Sequence, residues 1–131
     1  VIIVAAACGN NEINGQGPSD IPVEWVNAEV QKDQSKMLDL LDEKSKALDP
    51  EDKANNDSFI ENYKLTEWKA NDDRYFYEVV YEHPEKDQMV TERMEVIKTD
   101  SGWKRTSYSD LSNFETLVGD LEPEVLKELY K

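Results

Sequence analysis

The change of hydrophobic period at Phe59 constrains this chain more than any other feature. Before it, apolar residues recur at helical intervals. After it, four segments of high β-propensity follow in succession, spanning 59–69, 74–82, 89–98 and 103–109. The intervals between them are Ala70-Asn71-Asp72-Asp73, His83-Pro84-Glu85-Lys86-Asp87 and Thr99-Asp100-Ser101-Gly102, all of hairpin length and rich in turn residues. Loops this short join neighbouring antiparallel strands, so the spacing predicts a four-stranded meander. In the second segment Tyr75, Tyr77, Val79 and Tyr81 alternate onto one face, and in the third Val90, Met94 and Val96 do the same. One side of the sheet is therefore apolar and needs a cover. Phe76 and Val80, of opposite parity, imply partial cover of the other side as well.

The cover comes from the N-terminal half. Pro22 suits the first turn of a helix and Glu24 suits the positive end of its dipole. Val26, Val30, Met37, Leu41 and Leu48 recur at spacings of helical period, which fits one long helix or two end to end. The polar interval Lys32-Asp33-Gln34-Ser35-Lys36 favours two, with Asp33 capping a second helix that carries Met37, Leu38, Leu40 and Leu41. Pro50, following Asp49, is placed to start another short helical turn. Beyond the meander, Ser112-Asn113-Phe114-Glu115 has capping-box spacing ahead of Leu117, Val118 and Leu121, with Gly119 as a stop. Glu122-Pro123-Glu124 predicts a last short helix carrying Val125, Leu126, Leu129 and Tyr130. The fold class expected is α+β: N-terminal helices packed on a four-stranded antiparallel meander, with short C-terminal helices.

Three stretches give that order a resemblance: the opening Glu24-Trp25-Val26 helix, the break over Lys32-Asp33-Gln34-Ser35-Lys36-Met37-Leu38, and the hairpin Thr99-Asp100-Ser101-Gly102-Trp103-Lys104. Over about residues 22–110 the chain resembles the cystatin-like and nuclear transport factor 2-like folds, in particular small secreted members from low-GC Gram-positive bacteria. The resemblance implies a concave sheet that with its helices makes a pocket, in a group that includes enzymes, ligand binders and interaction modules. A helical C-terminal segment departs from a pattern that often ends in strands.

The start of the chain carries a different signal. An apolar run, Val1-Ile2-Ile3-Val4, passes through Ala5-Ala6-Ala7 to Cys8 and then into the polar tract that begins Gly9-Asn10-Asn11. Small side chains before a lone cysteine let an extended backbone enter a signal peptidase cleft. The stretch resembles the end of a bacterial lipoprotein signal peptide, which implies Cys8 as the lipidated residue, although Ala5 stands where a large aliphatic is usual. With no initiator Met and no basic segment ahead of it, the sequence is expected to begin inside the apolar region of that leader. The division expected is 1–8 leader, 9–21 flexible tether, and 22–131 a single domain. As a Gly-rich coil the tether would span roughly 20 Å. No run of about 18 apolar residues is present to cross a bilayer, so the expected attachment is a lipid anchor on the extracytoplasmic face of the cell membrane. The net charge is −14, with 29 Asp and Glu spread along the chain against 15 Lys and Arg. Such a surface repels phosphate backbones and argues against nucleic acid as a partner.

Residues that carry chemistry are scarce. His83 is the sole histidine and lies beside Pro84 in a turn, with no orienting partner in its neighbourhood of sequence. There is no His/Cys set for zinc, and Asp49-Pro50-Glu51-Asp52 and Asn71-Asp72-Asp73 lack the alternating ligands and central glycine of a calcium loop. No metal, cofactor or catalytic set is expected. The aromatic group Trp68, Tyr75, Tyr77, Tyr81, Trp103 and Tyr108 falls wholly on expected strands. These six are candidates to line an apolar pocket, or else the bulky half of a core packed on Val26, Val30, Met37 and Leu41. The expected function is a monomeric, lipid-anchored interaction module that binds an envelope or secreted protein and does no catalysis. The alternative is a ligand-binding or enzymatic pocket of the nuclear transport factor 2-like kind, which requires a cavity lined by those aromatics and a buried carboxyl of raised pKa.

Overall fold

A computed structural model of the chain describes residues 12–130. Cys8 and the leader expected over 1–8 lie outside the described residues. The chain turns at 13–16, where Ile13 and Gln16 exchange backbone hydrogen bonds of 2.9 and 3.1 Å. Helix α1 then runs Asp20–Gln31, starting two residues ahead of the expected Pro22. Ile13 packs against the core and Ile21 is fully buried. The globular body therefore takes in part of the stretch expected to be tether.

The break after α1 follows the sequence. Lys32 adopts a left-handed conformation with φ 58°, and its N–H closes the helix on the carbonyls of Ala28 and Glu29. The Asp33 carboxylate then accepts from Lys36 N at 3.0 Å and caps α2, Gln34–Leu40. The two helices bury Val26, Val30 and Met37 in the core shared with the sheet, and Leu41, the extended residue just past α2, is buried with them. At Leu41 the backbone is extended; beyond it the chain bends and turns through 42–48, and at Pro50 it makes a single turn, with Asp52 N donating to Asp49 O at 3.1 Å, and no helix.

Four strands follow in meander order: β1 Tyr63–Asn71, β2 Arg74–Glu82, β3 Met89–Thr99 and β4 Gly102–Arg105. β1 begins four residues later than expected, leaving Phe59 half exposed while Ile60 is buried. β4 stops at Arg105, so Tyr108 sits in a loop and not on a strand. The register places Tyr75, Tyr77, Val79 and Tyr81 opposite Val96, Met94, Glu92 and Val90. This helix-facing side forms the main core with Trp25, Leu65 and Trp103.

The C-terminal segment differs from expectation. α3, Phe114–Val118, is one short helix preceded by Asn113 rather than Ser112, with no side-chain cap bond. It lays Phe114 and Val118 on Phe76 and Trp68, covering the outer face with a second, smaller core. The segment expected to be a last helix is instead a strand, β5 Pro123–Lys127, antiparallel to β1. Glu122-Pro123-Glu124 reads as a helix start because Pro suits a first turn. The same residue, which lacks an N–H, is equally suited to the first position of an edge strand. Among the described residues the sheet thus has five strands, in the order β4-β3-β2-β1-β5, and the fold is α+β. No described helix is long and apolar enough to cross a membrane.

Candidate functional site

The largest concentration of buried polar chemistry lies where α1, β2, β3 and β4 meet. Arg105, at the end of β4, is 1% exposed. Its Nε donates to Ser107 O at 2.7 Å, and Nη2 donates to Tyr108 O at 2.8 Å and to Asp110 Oδ1 at 3.0 Å. Nη1 pairs with Glu92 Oε1 at 3.6 Å and contacts Met94 Sδ at 3.8 Å. The guanidinium lies over the Trp25 ring, 4.3 Å from its centroid, and Tyr108 meets the same ring edge-on at 6.1 Å. Arg105 therefore ties the loop 106–110 to the sheet and to α1 at once. Tyr81 completes the group by donating its hydroxyl to Glu92 Oε2 at 3.2 Å.

Glu29 is the unusual member. It stands one turn beyond Trp25 on α1, and no donor among the described residues reaches its Oε1. Its carboxyl is set against the charge of Glu92, and two carboxyls brought together in a buried place favour holding a proton. Burial, then the hydrogen bond and charge of Glu92, push the Glu29 carboxyl up to about 10, with Arg105 pulling the other way. With Glu29 protonated, Glu92 and Asp110 share one cation. Ionising Glu29 would set three carboxylates around a single guanidinium. Trp25 Nε1 is likewise buried with no partner among the described residues.

Glu29 and Tyr108 also line a surface depression of about 320 Å³ with Lys32, Met37, Leu48 and Asn55. The carboxyl thus has a route to solvent on one side. The arrangement can hold and release a proton. Among the described residues no group of three or more His, Cys, Asp or Glu is disposed to hold a metal ion.

The six aromatic candidates do not converge on one cavity. Tyr77 and Trp103 are buried in the core, where Tyr75 stacks on Tyr77 at 6.1 Å and meets Trp103 edge-on at 5.5 Å. The Tyr77 hydroxyl donates to Glu67 Oε2 at 2.6 Å. Tyr81 is in the same core and joins the carboxyl cluster. Trp68 lies on the outer face, edge-on to Phe114 at 5.2 Å, and Tyr108 caps Trp25 from its loop. Tyr75 borders a separate depression of about 420 Å³ with Glu67 and Lys69.

Sequence reasoning passed over Glu29, Glu92 and Arg105, although the signal was present. Glu92 has the parity of Val90, Met94 and Val96, so a meander that buries those three buries Glu92 too. Arg105 has the parity of Trp103. Glu29 lies on the Trp25 side of α1, within the apolar stripe. A charge at a core position implies a buried partner. Comparisons with protein-family models, with curated proteins and with solved structures give no match to this chain.

Proposed function

We propose that this protein is a binding module held to the extracytoplasmic face of a membrane by a lipid on Cys8, with a cystatin-like or nuclear transport factor 2-like body that recognises another protein through its surface. The observation that carries the reading is the placement of Tyr75, Tyr77, Tyr81 and Trp103, whose rings fill the space between helices and sheet that a ligand would need. Recognition then falls to the outside, where Phe59, Met89, Val125, Leu126 and Tyr130 are exposed apolar groups on an acidic surface. Scattered exposed apolar residues are ordinary, but Val125 and Leu126 are adjacent on one strand.

The test is photo-cross-linking in intact cells, with the label placed in turn at Phe59, Met89 and Val125 of the membrane-held protein. Adducts to one envelope protein from at least one position support a binding module. A complete lack of adducts, together with saturable uptake of a small apolar ligand, refutes it.

One observation favours the second reading, a ligand-binding or enzymatic pocket. Glu29 is a buried carboxyl of raised pKa at the floor of a depression, as a general acid would be. The aromatic lining that reading also requires is absent from the depression apart from Tyr108.

A further inference from the structure

The two edges of the sheet are treated differently. At β4 the chain closes its own edge: Leu41 bridges Arg105 in parallel, Asp42 N donates to Arg105 O at 2.8 Å, and Lys104 Nζ reaches Asp39 O at 2.6 Å. At the opposite end β5 pairs with β1 on one side only, and among the described residues no strand lies beyond it. Pro123, Glu124, Val125 and Leu126 are all exposed, so both faces of the strand and its outer row of N–H and C=O groups are presented to solvent.

The exposed charge along this edge is predominantly acidic. Asp120, Glu122, Glu124 and Glu128 are exposed. The one basic residue of the strand, Lys127, is turned back onto the domain, with Nζ 3.3 Å from Tyr63 O and 4.4 Å from the centre of the Tyr63 ring. Glu124 is also directly opposite Glu67 on β1, a like-charge pair that weakens a sheet unless a cation joins it. Burial and the Glu124 charge raise the Glu67 carboxyl against the pull of the Tyr77 hydroxyl and the charge of Lys69.

We infer that β5 is a docking edge for an extended basic segment of another protein, which adds as a sixth strand and sets a lysine or arginine beside Glu124. Main-chain hydrogen bonds to the free edge supply the pairing, and Val125 and Leu126 supply apolar contact. The flanking carboxylates repel a second copy of this acidic chain, which selects a basic partner over self-association. The inference rests on the binding-module reading and gives that module its surface and the chemistry of its partner.

The test is a titration followed by amide NMR on the whole chain, with a blocked peptide of alternating lysine and valine as the probe. The amide signals of Glu124, Val125 and Leu126 should shift. A peptide of alternating glutamate and valine should leave them in place, as should the lysine peptide with proline at every second position. Glu124→Lys, at an exposed position where a lysine relieves the like-charge pair with Glu67 and so keeps the strand in place, should weaken binding about tenfold. Failure of the lysine–valine peptide to bind overturns the inference. So do shifts confined to residues outside β5 and β1, unchanged affinity in Glu124→Lys, or shifts in β5 that track protein concentration without peptide. Cross-links from Phe59 or Met89 but none from Val125 would remove this edge while leaving the binding module standing. No cross-link from any position, together with saturable uptake of a small apolar ligand, removes the module itself.

Discussion

Replacing Glu29 by glutamine should change how stability depends on pH. In the folded protein the carboxyl, opposed to Glu92 and largely buried, binds its proton up to about 10, against an ordinary value of 4.5. The folded state therefore holds a proton that the unfolded chain gives up, and stability falls as pH rises between those two values. A fully shifted single site contributes about 1.4 kcal/mol per pH unit, hence about 3 kcal/mol lost by pH 7 relative to acid. That is a large part of the 5–15 kcal/mol roughly available to a domain of this size. The glutamine amide would donate an N–H to Glu92 with no proton to lose. Denaturant unfolding of both proteins at pH 5, 7 and 9 reads the contribution of the cluster directly, because titrating groups away from it cancel between them. The expected result is a variant close to wild type at pH 5 and increasingly more stable as pH rises. Parallel curves over that range would refute the shared-proton account of the cluster.

Three further outcomes follow from the packing. Arg105→Met, which leaves Glu92 buried without its cation, should cost about 3–5 kcal/mol of stability measured by denaturant unfolding. It should also free the loop 106–110, seen as faster amide exchange at Tyr108, since Arg105 holds that loop through Ser107 O and Tyr108 O. Lys32→Gly should raise the thermal midpoint, with a gain of about 1 kcal/mol, because Lys32 occupies a left-handed conformation at the end of α1 that glycine adopts without strain. Trp103→Ala should cost about 3–5 kcal/mol, since a ring that fills the core leaves a cavity on removal. If Trp103 lined an open pocket instead, the loss would be far smaller.

The sequence made most of this fold legible because its signals were local and agreed. The stripe Val26, Val30, Met37, Leu41 and the cap at Asp33 set the two helices, and alternation in 74–82 and 89–98 set the central strands. The miss at β5 has a specific cause. Pro123 after Glu122 satisfies the rules for a helix start and for an edge strand equally well, and only pairing with β1, an element more than fifty residues earlier, decides between them. The candidate cluster was hidden for a related reason. Glu29, Glu92 and Arg105 lie far apart in sequence, and each looks like ordinary surface charge when read singly. Only their shared parity with core residues marked them, and only the fold brings them together. For the aromatic group, strand position told correctly that Tyr75, Tyr77 and Tyr81 share a face but left a pocket and a packed core both open, and only the packing shows the face to be filled.

The proposal of a tethered binding module is tested most directly by the intact mass of the protein recovered from membranes of cells that process lipoproteins. The account predicts a mature chain that begins at Cys8 and carries a diacylglyceryl group, with the mass increment lost and the protein released from membranes in Cys8→Ser. A membrane-bound chain that retains residues 1–7, or one with Cys8 unmodified, would contradict it.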